Sequence, residues 1–187
     1  MLINDSNPVL RKTGNLHFGR VTSPSARYFV TFVTAQRKPW LASREGQSAM
    51  LDTLKRWHAR RDGEVLAAAV MPDHVHVLVE LGRRHTLGQT VALWKADVRR
   101  EIDHAEAFQR DFWEHRLRPD EDAEEYALYA FLNPFRAGLI KRDAQWPGWL
   151  MPDPRLFQFM DLLENGMPPL AWVDWPEDRF DALQVGE

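Results

Sequence analysis

The chain reads as an α+β domain of ferredoxin-like type, a mostly antiparallel sheet flanked by helices, and three observations in its 187 residues predict this. Three stretches of strand length are alternating or continuously apolar: Tyr28 to Ala35, Glu64 to Met71 and His74 to Leu81. Two longer stretches, Gly46 to Arg61 and Thr86 to about His104, repeat their apolar residues at helical spacing. Between the second and third strands stands only the turn Pro72-Asp73, which makes them a hairpin and therefore antiparallel.

The elements follow in order. Residues 1–26 are polar and turn-rich, with Arg11-Lys12 and Ser23-Pro24-Ser25, and read as an arm. The β-branched and aromatic run YFVTFVTA is the first strand, closed by Pro39 and Trp40. Met50, Leu51, Leu54 and Trp57 line one side of the first helix, which Asp62-Gly63 ends. After the hairpin, Gly82 breaks the strand and Thr86 caps a helix carrying Leu87, Val91, Trp94, Val98 and Ile102. A short strand is expected within Phe108 to Arg118. Pro119 and the acids Asp120, Glu121 and Asp122 then start a third helix with the favourable sign of charge, and Pro134 and Gly138 are expected to end it. Leu156 to Asn165 is expected to form one further short helix. The order is βαββαβα.

Composition removes whole classes of chemistry. With no cysteine there are no disulfides, thiolate metal sites or thiol nucleophiles. No apolar run reaches membrane-spanning length and the N-terminus lacks a secretory pattern, so a cytoplasmic protein without a membrane partner is expected. The net charge is −3, and it is unevenly distributed. From Asp143 onward there are nine acidic and two basic residues, a net of −7, against 22 basic and 18 acidic residues before, a net of +4. Domain boundaries are placed accordingly: an arm at 1–26, a main domain at 27–150, and an acidic, aromatic tail at 151–187.

In the third strand, His74 and His76 are two apart and so share a face with Leu78 and Glu80, while Val75, Val77, Val79 and Leu81 form the apolar face. Two imidazoles so placed can hold one divalent ion, and each polar ring on a sheet needs a partner in any case. A second stretch, Tyr126 to Gly138, carries Tyr129 and Asn133 four apart on a helix.

The run Tyr-x-x-x-Asn-Pro-x-x-Ala-Gly (129–138), some fifty residues after His-x-His, resembles the Y1 transposases, IS200-like enzymes with the HUH endonuclease fold. Within them it looks most like the branch associated with repetitive extragenic palindromes. Phe-Trp-Glu-His-Arg-Leu-Arg (112–118) is of the type found between the two motifs, and the resemblance runs from about Tyr28 to Trp149. It implies a metal-dependent single-strand DNA endonuclease and strand transferase, a transposase acting through a 5′-phosphotyrosine on DNA hairpins, as a monomer or a homodimer. It also implies His74, His76 and Asn133 as ligands of Mg²⁺ or Mn²⁺, a nitrogen and oxygen set suited to a phosphate site. Spacing alone leaves Tyr126 and Tyr129 as rival nucleophiles; the resemblance selects Tyr129.

His115 is a candidate to orient the phosphate or a ligand. Arg83, Arg84, Lys95, Arg99, Arg116, Arg118, Arg136, Lys141 and Arg142 are candidates to hold DNA phosphates. The tail is expected either to compete with DNA for this basic surface or to pack on the back of the sheet. A His-x-His amidohydrolase barrel is excluded because it needs roughly 250 residues. A hairpin-binding protein without catalysis is the remaining alternative.

Overall fold

The structure is a computed structural model that describes residues 22–102, 108–173, 175 and 177–186. Most of the expected N-terminal arm, residues 1–21, therefore lies outside the described residues. Five strands form one sheet: β1 (Arg27–Val33), β2 (Gly63–Val70), β3 (His74–Leu81), β4 (Trp113–Arg116) and β5 (Trp149–Leu150). Their order is β4-β1-β3-β2-β5, and all four neighbour pairings are antiparallel. The helices are α1 (Arg44–Ala59), α2 (Leu87–Glu101), α3 (Ala123–Arg136) and the short α4 (Leu170–Val173). The expected βαββαβα order holds through α3, and the two-residue β5 extends the β2 edge.

Alternation along β3 sorts the sheet into two faces. Val75, Val77, Val79 and Leu81 pack with Met50, Leu54 and Trp57 of α1 and Val91, Trp94 and Val98 of α2. Leu78 points the other way, with Phe29, Ala67 and Ala69, beneath α3. The two alanines of β2, met by Ala127 and Ala130 of α3, let that helix come down close on the sheet.

Each long helix starts on a side-chain cap. Ser43 accepts from the Gly46 N–H at 3.0 Å, Thr86 and Gln89 make a reciprocal capping box, and Asp122 accepts from the Glu124 N–H at 2.9 Å. Two expectations fail locally. Pro134 does not stop α3: the helix runs on to Arg136, because the one N–H that proline lacks is lost in a turn that is ending anyway, and Gly138 at φ 66° makes the exit. Leu156 to Asn165 is not one helix but two 3-10 turns, Pro154–Leu156 and Gln158–Leu162. Their capping comes partly from elsewhere, since Glu124 accepts from the N–H groups of Gln158 and Phe159 at 3.0 and 2.5 Å. The helical pattern runs to about His104, but α2 ends at Glu101, and 103–107 lie outside the described residues.

The acidic segment is built into the core. Phe157, Phe159 and Phe180 are buried with α3 and β5, so this part of the chain covers the α3 face of the sheet.

Candidate active site

The site grows from one row across the sheet. Register places Trp113 of β4, Thr31 of β1, His76 of β3 and Ala69 of β2 side by side on the α3 face. His76 is fully buried, and α3 lays Tyr129 and Asn133 over it. The Tyr129 and His76 rings meet edge-on at 5.3 Å between centroids, and the Asn133 amide lies 3.2 Å from His76 Nε2. His74, at the mouth of the strand, brings its Nε2 to 3.1 Å from that of His76.

Hydrogen bonds behind the rings are equally specific. His74 Nδ1 lies 2.6 Å from Asp73 Oδ1, and His76 Nδ1 lies 2.9 Å from Thr31 Oγ1. Burial, reinforced by the charge of His74 whenever that ring is protonated and by that of Arg37, holds the His76 imidazole well below its ordinary pKa, so the ring is neutral at neutral pH. Burial opposes ionisation of Asp73 as well, but the His74 hydrogen bond and the charges of His74 and Arg37 outweigh it and keep the carboxyl below its usual value.

These donors fit a divalent ion. Adjacent ligands held at about 2.1 Å from a metal stand about 3 Å apart, which is the spacing of the two Nε2 atoms. Among the described residues no three His, Cys, Asp or Glu side chains converge, and the further polar side chain beside the histidine pair is the Asn133 amide. That amide faces His76 through Nδ2; a half-turn about its last bond presents Oδ1 instead.

His74, Asn133 and Tyr129 open on a cleft of about 780 Å³. Arg37 and Arg136 stand on its walls, and Phe180, Asp181, Leu183 and Val185 of the C-terminal segment close one side. The Arg136 guanidinium lies 5.7 Å from the Tyr129 ring centre and 4.9 Å from that of Phe180, which meets Tyr129 edge-on. Arg37 reaches Asp73 at 3.3 Å from a turn in which Gln36 and Arg37 both have positive φ, 57° and 53°.

Tyr126 does not share this cleft. Its ring is buried and stacked on His115 at 5.7 Å; its hydroxyl lies 3.4 Å from Glu121 and accepts from the Gln184 N–H. Burial first, and then the Glu121 charge, raise its pKa above that of a free phenol. His115, a candidate to orient the phosphate or a ligand, bonds both Glu121 oxygens at 2.8 Å, and Phe29 stands between it and the histidine pair.

The basic candidates divide. Arg136 alone of the nine lines the cleft. Lys95 is a correction: it is buried on the opposite face and donates to the carbonyls of Gln109, Arg110 and Asp111 at 2.8–3.4 Å, so it braces a loop and is not offered to DNA. Arg99 lies on the same helix, exposed, as are Arg83 and Arg84, the latter paired with Asp62 at 3.2 Å. Arg116, Arg118 and Lys141 are exposed away from the histidines, and Arg142 is bound to Glu164 and the Pro168 carbonyl. Thr31, Arg37, Asp73, Phe180 and Val185 escaped the sequence reading. Only Asp73, adjacent to the first histidine, carried any signal, and it was read as part of a turn.

Residues 22–117 match the family model described as transposase, IS200-like. The chain belongs to the IS200-like transposase family. The match ends before α3, so the placing of Tyr129 and Asn133 rests on the geometry above. A Haemophilus influenzae chain classed with the REP-associated tyrosine transposases is 27% identical over 64% of this transposase and 76% of its own length. The REP-associated tyrosine transposase of Escherichia coli K12 is 28% identical over 68% and 70%. The class of the chain is therefore that of a tyrosine transposase. Its fold matches the solved structure of a REP-associated tyrosine transposase bound to a REP hairpin, with a TM-score of 0.64 at 23% identity over 91% of this chain and 96% of that one. Among the described residues of the transposase no helix is long and apolar enough to cross a membrane.

Proposed function

We propose that this transposase is a metal-dependent single-strand DNA endonuclease and strand transferase, acting in the cytoplasm as a monomer or homodimer on hairpins of repetitive extragenic palindromes. The observation that carries the reading is the meeting of His74, His76, Asn133 and Tyr129 at one cleft walled by Arg37 and Arg136. The hairpin as substrate is supported by the similar fold bound to one.

His74 and His76 would hold Mg²⁺ or Mn²⁺ through Nε2, and Asn133 through its amide oxygen. Such an ion supplies Lewis acidity, polarising a non-bridging oxygen of the scissile phosphate. Tyr129 supplies the attacking oxygen. Its bond to phosphorus forms as the bond from phosphorus to the 3′ oxygen breaks; the phenol proton passes to water, and the 3′ oxygen takes one up and leaves as a hydroxyl. One phosphoester is exchanged for another, so the strand can be rejoined without a nucleotide cofactor. Arg37 and Arg136 bring positive charge to where the phosphate must sit.

The test uses a hairpin oligonucleotide with a single-stranded flank and a denaturing gel that retains covalent protein–DNA adducts. Wild-type protein is expected to form the adduct with Mg²⁺ or Mn²⁺, to lose it in EDTA and to regain it when Mn²⁺ is restored. His74→Ala and His76→Ala are each expected to form none. Cleavage at full rate in excess chelator would remove the metal from the mechanism.

A further inference from the structure

Thr31 has one hydroxyl proton, and the structure shows where it goes: Oγ1 donates to the main-chain carbonyl of Val185 at 2.9 Å. The same oxygen stands 2.9 Å from His76 Nδ1 and can only accept there. His76 must then carry its proton on Nδ1, which leaves Nε2 bare toward His74 and Asn133. The neighbouring ring is fixed in the same sense. Asp73 Oδ1, an ionised acceptor, takes the Nδ1 proton of His74 at 2.6 Å, and Arg37 holds Oδ2 of the same carboxylate at 3.3 Å. Two separate devices, one on each histidine, select the same tautomer.

We propose that Asp73 and Thr31 are positioning residues for the histidine pair, Thr31 being set in turn by the carbonyl of Val185, so that both rings turn an unprotonated Nε2 to the cleft. This rests on the metal reading for its use but not for its geometry. An imidazole with Nε2–H cannot bind a cation through that atom, so a ring free to choose its tautomer loses part of its affinity. Val185 is thereby part of the histidine site. The next residue, Gly186, approaches the Trp113 indole so closely that a Cβ there would come within 2.1 Å of the ring.

The experiment has two arms on full-length protein labelled with ¹⁵N at histidine. Long-range ¹H–¹⁵N correlation of the metal-free protein at mildly alkaline pH reads the tautomer, and calorimetric titration with Mn²⁺ reads affinity. Wild-type His76 is expected to show protonated Nδ1 and bare Nε2. Thr31→Val should lose that preference and bind Mn²⁺ roughly 10- to 100-fold more weakly, while Thr31→Ser, which keeps the hydroxyl, should restore both. Asp73→Ala should do to His74 what Thr31→Val does to His76. If Thr31→Val does not fold, a chain ending at Gln184 removes the Val185 acceptor and the Gly186 contact with Trp113 while keeping the Gln184 N–H that the Tyr126 hydroxyl accepts. Thr31 is then free to donate to His76 Nδ1, and the Nε2–H form should appear. An Nε2–H ring at His76 in the wild type overturns the proposal, as does Thr31→Val with unchanged tautomer and affinity. The metal reading fails separately, when wild type and His76→Ala bind Mn²⁺ equally weakly; the spectra still decide the positioning claim.

Discussion

On one face of the sheet, two long helices lay Met50, Leu54, Trp57, Val91 and Trp94 over the valines of β3. On the other, among the described residues, α3 is the single long helix, and the remaining cover is the irregular stretch from Met151 onward, made of 3-10 turns, the short α4 and aromatic side chains. The first face is a dry core whose buried charge, Lys95, is spent on three carbonyls. The second buries a connected polar chain, from Val185 through Thr31 and His76 to Asn133, and opens it on a cleft. A helix pair holds its own backbone hydrogen bonds and gains little by moving. A cover of short turns, tied down by contacts such as Glu124 with Gln158 and Arg179 with Glu125 at 2.8 Å, can be exchanged for a ligand at lower cost. The histidine pair stands under this second cover.

The largest effect that would sharpen this division is on the dry face. Trp94→Ala removes a fully buried ring packed against Trp57 and Phe32 and is expected to cost about 3–5 kcal/mol in urea unfolding, with Mn²⁺ affinity of the folded protein unchanged. A matching loss of Mn²⁺ binding would show that the two faces are not independent.

The next concerns the acidic cover. A cut after about Pro152, suggested by charge alone, would strip Phe157 and Phe159 from the core, so the informative cut is after Pro169, which keeps both. That chain loses Phe180 and Asp181 from the cleft wall and is expected to bind hairpin DNA several-fold more tightly, with the larger gain at low salt. Binding is best measured in EDTA, because the same cut removes the Val185 acceptor. Affinity unchanged at every salt concentration would mean that the cover does not compete with DNA.

The smallest expected effect lies at the edge of the second face. Burial works against the Glu121 carboxylate, but the Arg118 N–H and His115 outweigh it and depress its pKa. A depressed carboxylate contributes stability above its unfolded pKa and loses it as pH falls through the folded value. Glu121→Gln should therefore lower stability by about 1 kcal/mol at neutral pH, and the gap to wild type should close as the pH drops through the carboxylate range. A gap independent of pH would contradict this account of the cluster.

The same division decides how much was legible in the sequence. Strands β1 to β3 and helices α1 and α2 announce themselves by period, and the hairpin turn fixes the β3 register that puts His74 and His76 on one face. Helical spacing puts Tyr129 and Asn133 on one face of α3, but it leaves Tyr126 as a rival, and only the family resemblance chooses between the two tyrosines. Arg37 does not: it reaches the site through two successive left-handed residues that no local pattern marks. Thr31 reads as one more β-branched strand residue until its cross-strand partner is known to be His76. Val185 acts through its carbonyl, a group every residue has, and Lys95 reads as surface because the three carbonyls it serves lie beyond the end of its helix.

The central claim is that Tyr129, over the histidine pair, is the nucleophile, and that Tyr126, one turn earlier against Glu121 and His115, is not. The most direct measurement is covalent adduct formation on a hairpin oligonucleotide by Tyr129→Phe and Tyr126→Phe, each removing one hydroxyl from an otherwise intact ring. Tyr129→Phe is expected to form no adduct while binding the hairpin about as well as wild type, and Tyr126→Phe to retain it. Adduct formed by Tyr129→Phe and lost in Tyr126→Phe would contradict the assignment.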